Sequence, residues 1–290
     1  MKPSYFYMIT SLILGASFSF PLSAQPNNIT EIDQFCLDWS KKLRTVKYEG
    51  CKEFDLIAND HKSVSGWPLF HREFTPVNGK RPKARVLAIG GVHGDEYSAI
   101  SISYLWMQTM LRNPQDVAHH WLFLPLANPD GLFLQPATRQ NANGVDLNRN
   151  FPTSDWDEKA IRFWHSFYAA NPRRNPGSGP ASEPETQWQV GIIKAFQPDA
   201  IISIHAPYGL LDYDGPDFAR PDKLGKLKLH QLGTFPGSLG RYAGEELNIP
   251  VLTLELDSAG RLPNEDEIKQ IWQDMGAWID GKLKPTELDF

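Results

Sequence analysis

The chain carries 34 acidic and 29 basic residues among 290, for a formal net charge of −5. That balance supplies no basic face to neutralise a phosphate backbone, so it gives no reason to expect nucleic acid as a partner. The length suits one large α/β domain better than two, and no linker or internal repeat divides it.

In chain order, Lys2 precedes an apolar run over residues 6–20 that closes with Leu22, Ser23 and Ala24 before Gln25. This is the pattern of a secretory signal peptide over 1–24. The run is short for a bilayer span and holds Thr10, Ser11 and Ser17, so cleavage is expected rather than a stable membrane anchor. Export to an oxidising compartment would let Cys36 and Cys51 pair, and a disulfide is expected, two unpaired thiols being the alternative. Residues 25–80 read as an N-terminal segment of the same domain, with an amphipathic helix over 32–43 and edge strands over 54–57 and 68–74.

Residues 81–285 carry the main pattern. An apolar strand over 85–89 ends at Gly90 and Gly91, and residues 97–111 then place Ile100, Tyr104, Leu105, Met107 and Leu111 at helical spacing. Residues 90–96 are therefore a loop at the C-terminal end of a strand, where open α/β sheets bind ligands. A strand over 121–124 runs into the turn Asn128-Pro129-Asp130-Gly131. Residues 132–184, rich in Asn, Pro and Gly, are expected to drape as loops over one end of the sheet, broken by a helix around 158–168. Ser182 as N-cap, with Pro184 and Glu185, opens a helix to about Phe196. Strands at 200–204 and 251–254 deliver His205 and Glu255 at their C-terminal ends. Asn264 and Glu267 start a last helix whose buried face is Ile268, Ile271, Trp272, Met275 and Ile279. The alternation specifies the α/β class: a single domain with a mixed, mostly parallel twisted sheet flanked by helices on both faces.

His93 and Glu96 stand three positions apart in a glycine-flanked loop and can share one metal ion, although such a pair alone is frequent by chance. A catalytic zinc typically takes three protein ligands, and His205, at the end of a buried strand, is the candidate for the third. His61, His71, His119, His120, His165 and His230 lie in polar or loop contexts and read as surface residues. Asn148 and Arg149 set an amide beside a guanidinium, with Arg139 ten positions before Arg149. That grouping suits a substrate carboxylate, an ordinary surface ion pair being the alternative. Glu255 ends an apolar strand, a costly place for an unpaired carboxylate, so it is either a structural, hydrogen-bonded group or a general base.

These motifs, in order and spacing over 86–283, resemble the zinc carboxypeptidase family, the carboxypeptidase A-like group, and within it the bacterial murein amidases and related periplasmic carboxypeptidases. The carriers are the loop with His93 and Glu96, the turn at Gly131, Arg139, the run 144–152 with Asn148 and Arg149, Glu185, His205, the loop 236–240 and Glu255. The resemblance implies one zinc held by His93, Glu96 and His205. Asn148 and Arg149 would receive the free carboxylate of a murein-derived peptide, Arg139 would polarise the scissile carbonyl, and Glu255 would be the base. It further implies a periplasmic enzyme that cleaves the bond between γ-D-glutamate and meso-diaminopimelate. The digestive members carry a tyrosine on a mobile loop where this chain has Pro236-Gly237-Ser238-Leu239-Gly240, with Tyr242 nearby. Asp212 and Asp214 could meet the diaminopimelate ammonium, turn-forming aspartates beside Gly215 being the alternative. Two rival readings are a deacylase of the aspartoacylase or succinylglutamate desuccinylase type and a non-catalytic binder of cell-wall peptides. Oligomeric state is not legible.

Overall fold

A computed structural model describes Met1 and residues 30–283. The stretch read as a signal peptide lies outside the described residues. Helix α1 (Glu31–Lys42) opens with a capping box between Thr30 and Asp33 and buries Phe35, Cys36 and Trp39. Short helix α2 (Tyr48–Lys52) carries Cys51, which is disulfide-bonded to Cys36 with the Cα atoms 5.6 Å apart. Strands β1 (Ile57–Lys62) and β2 (Pro68–Phe74) pair antiparallel. The strand expected over 54–57 is displaced, because Phe54 and Leu56 drop into the core and the true strand is a polar stretch. As an edge strand it has no apolar alternation to betray it.

There follow β3 (Arg85–Gly90), α3 (Tyr97–Arg112), β4 (His120–Leu124), short α4 (Pro129–Phe133), α5 (Trp156–Tyr168), α6 (Pro184–Phe196), β5 (Ala200–His205) and β6 (Leu210–Asp214). A two-stranded ribbon, β7 (Lys223–Leu224) and β8 (Leu227–Lys228), precedes a π-helical segment (Gly240–Glu246), β9 (Val251–Glu255) and α7 (Glu265–Lys282). The seven-stranded sheet runs β1-β2-β4-β3-β5-β9-β6, and its four central strands are parallel to one another. β2 and β6 flank that core antiparallel.

Alternation along the strands fills both faces. Val86, Ala88, Ile202, Ile204, Leu252 and Leu254 face the side covered by α1, α3 and α7. Leu87, Ile89, Ile201 and Val251 face α6 and the π-helical segment. Glu183, not Ser182, is the N-cap of α6, and the Ser182 hydroxyl donates to the Glu183 carboxylate instead. His119 is buried at 5 % exposure beside Asp280, and His120 sits half-buried at the start of β4, its Nε2 2.7 Å from Glu73; neither is a surface loop residue. Among the described residues, no helix is long and apolar enough to cross a membrane.

Buried Glu185 ties the long loops to α6 by accepting from Asn141 Nδ2 at 3.0 Å and from the Val64 amide at 3.1 Å. Burial pushes its carboxyl from the ordinary 4.5 up to about 7. Between those values the folded chain keeps a proton that the unfolded chain has released, so this group's stabilisation is lost as pH rises through the window. Thermal midpoints recorded from pH 5 to 8 are expected to fall, and Glu185→Gln to flatten the fall. Replacing Cys36 and Cys51 together by alanine frees a loop of 15 residues and is expected to cost about 3 kcal/mol in urea unfolding.

Candidate metal centre

The ladder sets the chemistry. In the parallel register of β5 and β9, His205 is the direct neighbour of Glu255, while β3 ends one strand away and turns into the loop bearing His93 and Glu96. Gly94 lets that loop press on the turn after β4, since a Cβ there would overlap the Gly131–Leu132 backbone. Asn128 stitches the loops together: its amide donates to the carbonyls of Val92 and Arg139, and its side-chain oxygen accepts from the Gly131 N–H.

Three buried groups meet at one point. His93 Nδ1 lies 2.8 Å from one Glu96 oxygen, His205 Nδ1 lies 3.1 Å from the other, and the two Nδ1 atoms are 3.1 Å apart. His93 Nε2 faces Asp146 Oδ1 at 3.0 Å, and an ionised carboxylate can only accept, so Nε2 carries the ring proton and Nδ1 turns a lone pair toward Glu96. Acceptors facing acceptors call for a cation. A tetrahedral zinc with ligands at about 2.0–2.2 Å sets its ligand atoms about 3.3–3.6 Å apart, a few tenths of an ångström wider than the 2.8–3.1 Å here, and two imidazoles with one carboxylate are a known zinc set. His205 Nε2 is oriented in turn by the Ser203 hydroxyl at 3.0 Å.

Sequence reasoning gave no role to Asp146, which is fully buried and central. One oxygen meets His93 and the Asn148 amide, and the other accepts from Arg139 Nε at 2.8 Å. Burial opposes its charge, but Arg139 and His93 hold the carboxyl well below the usual range. Burial likewise opposes the charge of Glu96, and positive charge on or between the His93 and His205 rings holds it far below ordinary values. The signal for Asp146 was present in the Asp-Leu-Asn-Arg run, as an acid in a segment otherwise read for carboxylate binding. Ser203 and Thr253 were also missed. They are the polar residues two places before His205 and Glu255, and with Asp212 they form a cross-strand row along the cavity floor.

The cavity over this centre measures about 590 Å³ and is lined by all the sequence-predicted site residues other than the cysteines. A cavity of about 760 Å³ between α3 and α7 contains none of them. Glu255 is 7 % exposed, with Oε2 buried and without a hydrogen-bond partner, and burial pushes its carboxyl up to about 7. Arg149 stacks on Phe235, 4.4 Å from the ring centroid, and donates to the Tyr168 hydroxyl at 2.9 Å. The loop 236–240 braces this pair: the Leu239 amide donates to Asn148 Oδ1, and Gly237, at φ +79°, lies against the Arg149 backbone where a Cβ would overlap it. Tyr242 does not reach the cavity; it is buried and stacked on Phe151.

Asp212 and Asp214 lie on the antiparallel strand β6. One oxygen of Asp212 is used by the Tyr213 and Leu232 amides. Burial, with Asp212 and Glu245 nearby, pushes Asp214 up to about 7.

Fold and site together define a protein built to hold one divalent metal at the C-terminal edge of an α/β sheet. The zinc carboxypeptidase pattern matches residues 56–214, and the chain belongs to that family. Murein peptide amidase A of Escherichia coli is 38 % identical over 155 residues, 52 % of this chain and 59 % of that protein, so the match spans less than two thirds of that relative. The Vibrio campbellii protein of the same name is 32 % identical over 207 residues, covering 67 % of this chain and 77 % of its own length. Among solved structures, murein-tripeptide amidase from Escherichia coli O157 superposes with a TM-score of 0.53 at 28 % identity, over 78 % of this chain and 92 % of that one. Carboxypeptidase A from Helicoverpa armigera gives 0.62 at 17 % identity, over 86 % and 71 %, a likeness of fold alone.

The His93–Asp146 contact yields a measurable consequence. Asp146→Asn is expected to weaken zinc binding about 10- to 100-fold in competition with a chromophoric chelator, because a neutral amide replaces the charged acceptor that fixes the ring's tautomer and cannot accept from His93 and Arg139 with both its ends.

Proposed function

We propose that this chain is an exported, zinc-dependent carboxypeptidase or amidase that removes a C-terminal residue from murein-derived peptides by hydrolysing the amide bond before it. The observation that carries the reading is the convergence of His93, Glu96 and His205 beside Glu255, in a cavity whose wall holds two buried arginines, Arg139 and Arg149. Bound zinc supplies a Lewis acid for the carbonyl and lowers the pKa of water. His93, Glu96 and His205 are the residues that hold it.

The chain's own groups do the rest. Arg149 and Asn148 anchor the substrate's terminal carboxylate, the guanidinium being pre-oriented by its stack on Phe235. Arg139, held by Asp146, directs its remaining donors to the carbonyl oxygen and steadies the negative charge that develops there. Glu255 takes a proton from the attacking water at its free oxygen and returns it to the departing nitrogen. Asp212 and Asp214 face the departing residue and suit a side-chain ammonium, as in diaminopimelate attached to γ-D-glutamate. The murein amidase relatives support this substrate class.

Residues 1–24 act as the export signal and the mature chain works in the periplasm, a setting consistent with the bond between Cys36 and Cys51. Residues 25–80 complete the domain whose catalytic part is 81–285.

Zinc-loaded protein incubated with murein tri-, tetra- and pentapeptides is expected to release a diaminopimelate product identified by mass, and chelation to stop release until zinc is restored. Glu255→Gln is expected to lower kcat about 10²- to 10⁴-fold with zinc content unchanged. Arg149→Met is expected to act chiefly by raising KM. No product from any of the peptides would overturn the reading.

A further inference from the structure

Four guanidiniums line the cavity, those of Arg139, Arg149, Arg173 and Arg174. Their carboxylate partners can be assigned one by one. Arg139 is bonded to Asp146 at 2.8 Å, and Arg173 to Asp95 at 2.8 Å. Arg149 has no carboxylate partner among the described residues; it donates to the Tyr168 hydroxyl and the Asn148 carbonyl. Arg174 has one carboxylate nearby, Asp146 Oδ2 at 3.8 Å, and that oxygen already takes the Arg139 bond. Its other contact is the Tyr168 ring, 5.5 Å from the guanidinium carbon. Two fixed cations in the wall thus lack a bonded anion, and the terminal carboxylate assigned to Arg149 satisfies only one.

The position of Arg174 identifies the other. It shares an oxygen of Asp146 with Arg139, so it stands beside the guanidinium assigned to the scissile carbonyl. Its neighbour Arg173 is tied to Asp95, which lies in the metal loop between His93 and Glu96. That loop follows β3, and two strands separate β3 from β6, where Asp212 and Asp214 stand on the departing side. Arg174, side chain 23 % exposed, therefore belongs to the acyl side of the cleaved bond.

We propose that Arg174, steadied by the Asp95–Arg173 pair, receives a free carboxylate carried by the residue whose carbonyl is attacked. The site then reads two carboxylates, one on each side of the cleaved bond. A γ-linked glutamyl residue meets this requirement, because its α-carboxylate stays free within reach of the scissile carbonyl. A γ-linked residue whose α-carboxylate is amidated does not. The inference rests on the carboxypeptidase reading and adds to it a selectivity for acidic acyl residues.

The test uses two peptides that differ only in that group, carboxylate against carboxamide, with the zinc-loaded protein, Arg174→Gln and Arg174→Lys. The wild-type protein is expected to prefer the acid by about tenfold or more in kcat/KM, mostly through KM, as a charge-assisted pair gives. Arg174→Gln is expected to abolish the preference, and Arg174→Lys to keep part of it. The ratio between peptides is independent of how much variant folds. A preference that survives in Arg174→Gln, or its absence from the wild type, would overturn the assignment while leaving the carboxypeptidase reading intact. Wild-type protein that cleaves neither peptide would overturn that reading and the inference with it.

Discussion

The hydrogen bond between His93 Nε2 and Asp146, 3.0 Å long and closed to solvent, decides which face of an imidazole points at the metal position. A neutral ring has one proton, and the nitrogen that carries it cannot also ligate. By taking that proton's bond, Asp146 commits Nδ1 to the centre and brings Arg139 along with its other oxygen. One fully buried carboxylate therefore orients the His93 ring, holds the Arg139 guanidinium and, through the Asn148 amide, fixes the start of the turn that carries Arg149. A buried charge with three such partners is tolerable where a bare one is not.

Much of this was legible because apolar strands and polar chemistry sit in separate registers. The strands over 85–89, 200–204 and 251–254 are mostly apolar, as strands buried on both faces must be, so the titratable residue that ends each of the last two stood out. His205 and Glu255 were found that way. Asp146 was not, because it lies in an irregular loop whose path depends on contacts with Asn175, His93 and Arg139 that no local pattern announces. The polar edge strand β1 and the short strand β6 escaped for a related reason. Both take their conformation from a neighbour's free hydrogen-bonding edge more than from their own periodicity. His119 was misjudged because its burial comes from α7, far along the chain.

The long loops, which read as a polar excursion, are held as firmly as the sheet. Asn150 donates to the Pro176 and Gly179 carbonyls, Asn141 to Glu183 and Glu185, and Ser63 to Asp130. The cavity wall is thus made of backbone whose polar groups are satisfied by side chains rather than by a ladder, which explains the abundance of Asn there. Such a wall can hold Arg149 and Arg174 against the same Tyr168 ring, something a mobile loop could not do.

The pairing of His205 with Glu255 across β5 and β9 makes the sheet a ruler for the site. Side chains alternate every residue, so a slip of one position in either strand would send His205 or Glu255 to the opposite face and bury it among the aliphatic side chains under α3 and α7. Length changes in these strands are therefore forbidden in a way that changes in the connecting loops are not. The metre of the two strands is the fixed part of this plan, and the rim around it is where a change of length leaves His205 and Glu255 in place.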